Sequence, residues 1–288
     1  MYKFTLTGFS DEISSDVKTQ FEHLNKLGIK YFEPRGINGK NISELNDAEV
    51  EQLASDMKKY GIKVSSIGSP IGKIKITDDF EPHFEKFERT VEIAKKLDCR
   101  FIRIFSFYFS DGCKKEDYRD EVISRLKAFI DYAEKNDIIL LHENEKDIYG
   151  DTDDCCIDLM KELFCDNFKA VFDPANFVQC KVDTKSAWEK LKGYIVYMHI
   201  KDALFANGDV VPAGYGDGNV AYILSDLAAN GYNGFLSLEP HLGSFSGLTD
   251  LEVDDKMLKL EKSDAAKFTL AYNSLNKILK EIEEDGQN

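Results

Sequence analysis

The sequence lacks the long runs that would commit it to a membrane or to nucleic acid. No apolar stretch approaches the roughly 20 residues that a membrane helix needs. Basic residues cluster only in pairs, Lys58-Lys59, Lys95-Lys96 and Lys114-Lys115. These pairs read as solvated helix faces. The net charge is −15, and a polyanion is repelled by such a surface. Neither a nucleic-acid nor a membrane partner is expected. The opening MYKFTLTGFSDE has no signal-peptide shape, because polar residues break its short apolar stretch. The six cysteines show no CxxC spacing. Reduced thiols in a cytoplasm are the simplest account. Histidine is scarce, with five in 288 residues. No low-complexity segment or shift in composition marks a boundary, so residues 1–288 read as one domain.

What is present is alternation. Short β-rich runs at 4–9, 30–34, 63–68, 100–106, 138–144, 169–174, 195–201 and 234–239 are separated by amphipathic helical spacing. Helical stretches include 16–27, 47–60, 80–97, 120–136, 153–164 and 220–230. A last helix is expected over 252–284, followed by a frayed tail at 285–288. Asn46-Asp47 and Thr152-Asp153 have the character of helix starts. Leu27-Gly28, Tyr60-Gly61 and Asn230-Gly231 have that of helix ends. Eight strand–helix units favour an α/β architecture closed into a (β/α)₈ barrel over an open sheet.

Active sites of such barrels lie at the C-terminal strand ends. Four apolar runs here stop at metal-capable side chains: Glu143 in IILLHENE, Asp173 in KAVFDPAN, His199 in YIVYMHIKD and Glu239 in GFLSLEPH. Alternation along a strand puts Glu143 inside if Ile139 and Leu141 are inside. Glu145 then lies beyond it in the loop, and His142 faces the helices. Each residue alone has an ordinary structural explanation, but four at one depth point to a divalent-cation site. Three carboxylates and one imidazole form a hard donor set suited to Mn²⁺ or Mg²⁺, with Co²⁺ or Zn²⁺ able to occupy it.

Lys201 also points inward and is a candidate contact for a substrate oxygen or phosphate. Arg35, Glu145 and His142 are further candidate substrate contacts. Arg103 is either an anion contact or a structural partner of a carboxylate. Of the aromatic run Phe105, Phe107, Tyr108 and Phe109, at least half is expected in the core. Gly214-Tyr215-Gly216-Asp217-Gly218 does not follow a first strand, so it is no dinucleotide fingerprint. It reads instead as a flexible loop over the barrel mouth.

The segments LLHENE, FDPAN, MHIKD and LSLEP resemble the xylose isomerase-like TIM-barrel superfamily, specifically its sugar phosphate isomerase/epimerase branch. The resemblance covers almost the full length. It implies one divalent metal held by Glu143, Asp173, His199 and Glu239, with Glu143 and Glu239 also exchanging a substrate proton. The implied activity is isomerisation or epimerisation of a sugar, sugar phosphate or keto-polyol through a cis-enediolate. It further implies a small carbohydrate as partner, and a homodimer is common in this class. Related alternatives are dehydration of a keto-inositol or cleavage of a C-linked glycoside, where His142 is a candidate base. An endonuclease IV-like enzyme needs a trinuclear zinc cluster, and this chain has too few histidines for one.

Overall fold

The computed structural model describes residues 2–110, 112–242 and 264–286. All eight strand segments form: β1 Lys3–Gly8, β2 Tyr31–Phe32, β3 Lys63–Val64, β4 Phe101–Ile104, β5 Ile139–Glu143, β6 Phe168–Phe172, β7 Ile195–Ile200 and β8 Asn233–Leu238. The strands β4, β5, β6, β7, β8 and β1 lie side by side in that order, every pair parallel. β2 and β3 pair in parallel with each other.

Backbone hydrogen bonds join these two sets into a ring. Glu33 N–H donates to Gly8 O at 2.9 Å, linking β2 to β1. On the other side Ile67 N–H donates to Phe101 O at 2.9 Å, and Arg103 N–H donates back to Ile67 O at 3.0 Å. β2 and β3 are shorter than the runs at 30–34 and 63–68 suggest. Pro34 has no N–H for a ladder, and the chain turns at Gly68, where Ser69 N–H already donates to Ile67 O.

The helices are α1 Val17–Lys26, α2 Asp47–Tyr60, α3 Glu81–Lys96, α4 Arg119–Lys135, α5 Asp153–Leu163, α6 Pro174–Gln179, α7 Thr184–Leu191, α8 Val220–Ala229 and α9 Asp264–Asp285. The anticipated caps are present. Asn46 and Glu49 exchange side-chain-to-backbone hydrogen bonds at the start of α2, and Gly61 ends it at φ 65°. Thr152 accepts from Cys155 N–H at the start of α5. The first part of the expected helix over 252–284, and positions 287–288 of the expected tail, lie outside the described residues. No helix among the described residues is long and apolar enough to cross a membrane.

Two apolar layers follow from strand alternation. Leu140, Phe168, Phe172, Met198 and Leu236 face outward into the main core under the helices. Leu141, Val171 and Tyr197 face inward and pack together, with Phe101, Ile139 and Phe235 against them. The next inward position on β5, β6 and β7 is Glu143, Asp173 and His199 respectively. The alternation that fills the barrel with apolar side chains therefore delivers three polar groups to its upper rim.

Candidate metal centre

Glu143, Asp173, His199 and Glu239 each bring one ligand atom to within 4.8 Å of the others, and all four are buried. His199 Nδ1 lies 2.9 Å from Glu143 Oε1 and 3.6 Å from Glu239 Oε2. The strand ends are locked together locally. The side chain of Asn144 donates to Asp173 O and accepts from Asp173 N–H, both at 2.9 Å. Asp173 Oδ1 caps α6 by accepting from Asn176 N–H at 3.0 Å, which leaves Oδ2 for the cluster. Asn176 in turn donates to Asn144 O at 2.9 Å and to Glu143 Oε1 at 3.3 Å. The helix cap and the cluster thus use different oxygens of Asp173.

Three basic groups enter the cluster. Lys201 Nζ lies 2.8 Å from Asp173 Oδ2 and 3.1 Å from Glu239 Oε2. Arg103 Nη1 lies 3.1 Å from Glu143 Oε2, and its guanidinium stacks over the Phe9 and Phe105 rings at 5.0 and 4.7 Å. Arg103 is therefore a carboxylate partner. Arg35 reaches Asp11 at 2.8 Å, Glu239 Oε1 at 3.3 Å and Glu12 at 3.4 Å. Its guanidinium thus occupies the second group of close ligand atoms, Glu12, Glu239 and His241.

These fields set the protonation states of the cluster. Burial raises Glu143, but His199 and Arg103 overcome it and hold the carboxyl at about 2. Burial likewise opposes Glu239, which Lys201, His241 and His199 keep well below the usual carboxylate range. Asp173 is raised to about 7, mainly by burial and then by the neighbouring glutamates, against the pull of Lys201. Burial lowers His199, but Glu143 and Glu33 outweigh it and raise the imidazole well above its ordinary value. Without a cation the cluster is a proton-bearing, internally compensated site.

The donor set fits a divalent cation. Glu143 Oε2 and Asp173 Oδ2 are buried and have no hydrogen-bond partner of proper geometry among the described residues, only their off-axis charge contacts to Arg103 and Lys201. Three carboxylates and one imidazole present hard oxygen and nitrogen donors on one inward-facing rim.

The other candidate residues lie elsewhere. Glu145 sits at the rim in an ion pair with Lys73 at 3.0 Å. His142 faces the helix layer: Nε2 is 3.0 Å from Ser106 Oγ, and a Cβ on Gly150 would sit 2.4 Å from its ring. Burial lowers it to about 4. It is a neutral, satisfied histidine behind the strand, not a group at the mouth. Phe105 and Phe107 are fully buried, as expected for half of that aromatic run.

The Gly214–Gly218 stretch is not the flexible loop expected. The buried carboxylate of Asp202 accepts backbone N–H groups from Ala203, Gly214, Gly216 and Gly218 at 2.8–3.0 Å. A Cβ at Gly216 would lie 2.4 Å from Asp202 Oδ1, so the glycines there allow the backbone to approach a carboxylate. Glu33 also belongs to the site, 3.3 Å from His199 Nε2. It is a buried glutamate at the end of β2, and its position at a strand end was the one signal available.

No curated protein matches the sequence. Solved structures do match in fold. The IOLI protein with a bound zinc atom is 17% identical with a TM-score of 0.76, covering 96% of this chain and 99% of that one. An L-ribulose 3-epimerase is 19% identical with a TM-score of 0.71, covering 100% and 97%. A xylose isomerase-like TIM-barrel protein from Mycobacterium smegmatis in complex with magnesium is 19% identical with a TM-score of 0.67, covering 92% and 89%. Residues 21–263 match the family model described as xylose isomerase-like TIM barrel. With the ring of strands and the length of that match, the chain belongs to the xylose isomerase-like TIM-barrel family.

Proposed function

We propose that the protein is a divalent-metal-dependent isomerase or epimerase of a small carbohydrate: a sugar, a sugar phosphate or a keto-polyol. The observation that carries this reading is the convergence of Glu143, Asp173, His199 and Glu239, from four separate strand ends, to within 4.8 Å. A hard donor set favours manganese, and the zinc and magnesium in two fold neighbours support a divalent cation in general. Bound there, such a cation supplies Lewis acidity to a carbonyl and its neighbouring hydroxyl, acidifying the adjacent C–H.

The protein's own carboxylates move the proton. Glu143 and Glu239 are held ionised from β5 and from the end of β8, three strands apart around the ring. One carboxylate takes the proton, giving a cis-enediolate, and a proton is then returned. Return to the opposite face yields an epimer, and return to the adjacent carbon yields an isomer. A cavity of about 420 Å³ lined by Glu12, Pro240, His241, Leu242, Asp264 and Lys267 adjoins Glu239 through His241, which lies 3.4 Å from Glu239 Oε1. It offers room for the rest of the substrate. The free cysteines support a cytoplasmic setting.

Dehydration of a keto-inositol begins with the same proton abstraction, so the same residues serve that reading. Cleavage of a C-linked glycoside with His142 as base is disfavoured by the bond of His142 to Ser106. A trinuclear zinc site is disfavoured because the four-residue cluster holds one imidazole.

The test is turnover of ketoses, keto-inositols and their phosphates in D₂O with Mn²⁺. Deuterium is expected at the carbon next to the carbonyl, and Glu143→Gln and Glu239→Gln are each expected to reduce exchange by about 10²–10⁴-fold. Undiminished exchange in both variants would refute the assignment.

A further inference from the structure

A further carboxylate, beyond the three of the cluster, lies against it. Glu33, at the end of β2, is fully buried. Two hydroxyls hold it: Ser237 Oγ donates to Glu33 Oε2 at 2.6 Å, and the Tyr197 hydroxyl donates to the same oxygen at 2.9 Å. The Tyr197 hydroxyl also meets Ser65 Oγ at 2.9 Å, and Ser65 meets Thr7 Oγ1 at 2.7 Å. A buried polar layer contributed by five strand segments therefore fixes this one carboxylate.

Glu33 Oε2 lies 3.3 Å from His199 Nε2, an ion contact bent away from straight hydrogen-bond geometry. The opposite ring nitrogen, Nδ1, faces Glu143 and Glu239. The rings of Phe9 and Tyr197 stand edge-on to the imidazole at 5.1 and 5.9 Å and restrict its rotation. A neutral imidazole carries one proton; a cation among Glu143, Asp173 and Glu239 would claim Nδ1, and the carboxylate behind Nε2 is then the group that can hold the proton there.

We propose that Glu33 is a positioning residue for the metal centre: it accepts the Nε2–H of His199, holding the ring's proton on that nitrogen, and so leaves Nδ1 as the ligand atom. This rests on the metal-centre reading above and assigns a role to a residue outside the four ligands. The carboxylate also makes the ring a stronger donor, because its negative charge favours electron density on the unprotonated nitrogen.

The test uses the full chain with Zn²⁺ as a diamagnetic probe. In ¹⁵N-histidine spectra of the zinc-loaded wild type, His199 is expected to show Nε2 protonated and Nδ1 bound to the metal. By calorimetry, Glu33→Gln is expected to lower zinc affinity by about 10–100-fold, with an unchanged circular dichroism spectrum of the metal-free form. Zinc on Nε2 in the wild type, or wild-type affinity in a folded Glu33→Gln, overturns the proposal. The wild-type spectrum decides the point even if the variant does not fold. Wild-type protein that takes up no zinc would count against the metal centre itself, which is a separate result.

Discussion

The ammonium of Lys201 lies 2.8 Å from Asp173 Oδ2 and 3.1 Å from Glu239 Oε2. One buried cation thus bridges two of the four proposed ligands. Burial opposes its charge, but Asp173 and Glu239 raise its pKa and keep it protonated. In the metal-free protein it compensates carboxylates that otherwise repel one another.

Replacing Lys201 with Met removes that compensation, leaving Asp173 Oδ2 without its basic partner and Glu239 with Arg35 and the histidines alone. The metal-free protein is expected to lose about 3–5 kcal/mol, the usual cost of breaking a buried ion pair from one side. Excess Zn²⁺ should restore part of the loss through binding to the native state. Urea unfolding in chelator and in zinc measures both. Equal stability of variant and wild type in chelator would show that the bridge is not a compensating pair.

The pH dependence follows from His199 and Asp173. His199 is raised above its ordinary value by Glu143 and Glu33 against burial. Its contribution to metal-free stability is therefore complete below its unfolded pKa of about 6.5 and is lost as pH rises through the raised folded value. Asp173 is raised to about 7 by burial, so the native state also holds an extra proton between the ordinary aspartate range and pH 7. A cation must displace both protons. Zinc affinity is expected to increase from pH 6 to pH 8, with protons released on binding. Calorimetry in buffers of different ionisation enthalpy counts them, and binding without proton release would contradict these protonation states.

Asp202 organises the Gly214–Gly218 turn through three backbone N–H groups, those of Gly214, Gly216 and Gly218, and accepts a fourth from Ala203. Asp202→Ala leaves buried donors unpaired, and a loss of at least about 1–3 kcal/mol is expected. Amide exchange should accelerate at Gly214, Gly216 and Gly218 before the strands open. Protection that stays unchanged at these three amides would show that the turn holds itself.

His142→Gln should spare the chemistry. The ring bonds Ser106 behind β5 and is neutral under working conditions, lowered to about 4 by burial. A stability loss of about 1 kcal/mol is expected for the weakened hydrogen bond, with metal affinity and solvent exchange at wild-type levels. Loss of exchange with metal retained would reinstate His142 as a base.

Much of the arrangement was legible in the linear sequence because its periodicities are local. Period-two alternation placed Glu143 with Leu141 and turned His142 outward. The same rule reads Asp173 from Val171 and His199 from Tyr197, and eight strand–helix repeats gave the barrel. Cap residues such as Asn46 and Gly61 marked helix ends because they satisfy backbone groups within a few residues of themselves.

The sequence by itself therefore determined the barrel, the face each strand residue takes and the rim on which the polar groups gather. Only the tertiary structure decided which groups compensate which. Arg103 belongs to Glu143, Lys201 bridges Asp173 and Glu239, and Glu33 stands behind His199. It also showed that Asp202 holds a glycine turn. Those pairings join residues far apart in the chain, and their strength depends on distance and exclusion of water, neither of which is a local property of sequence.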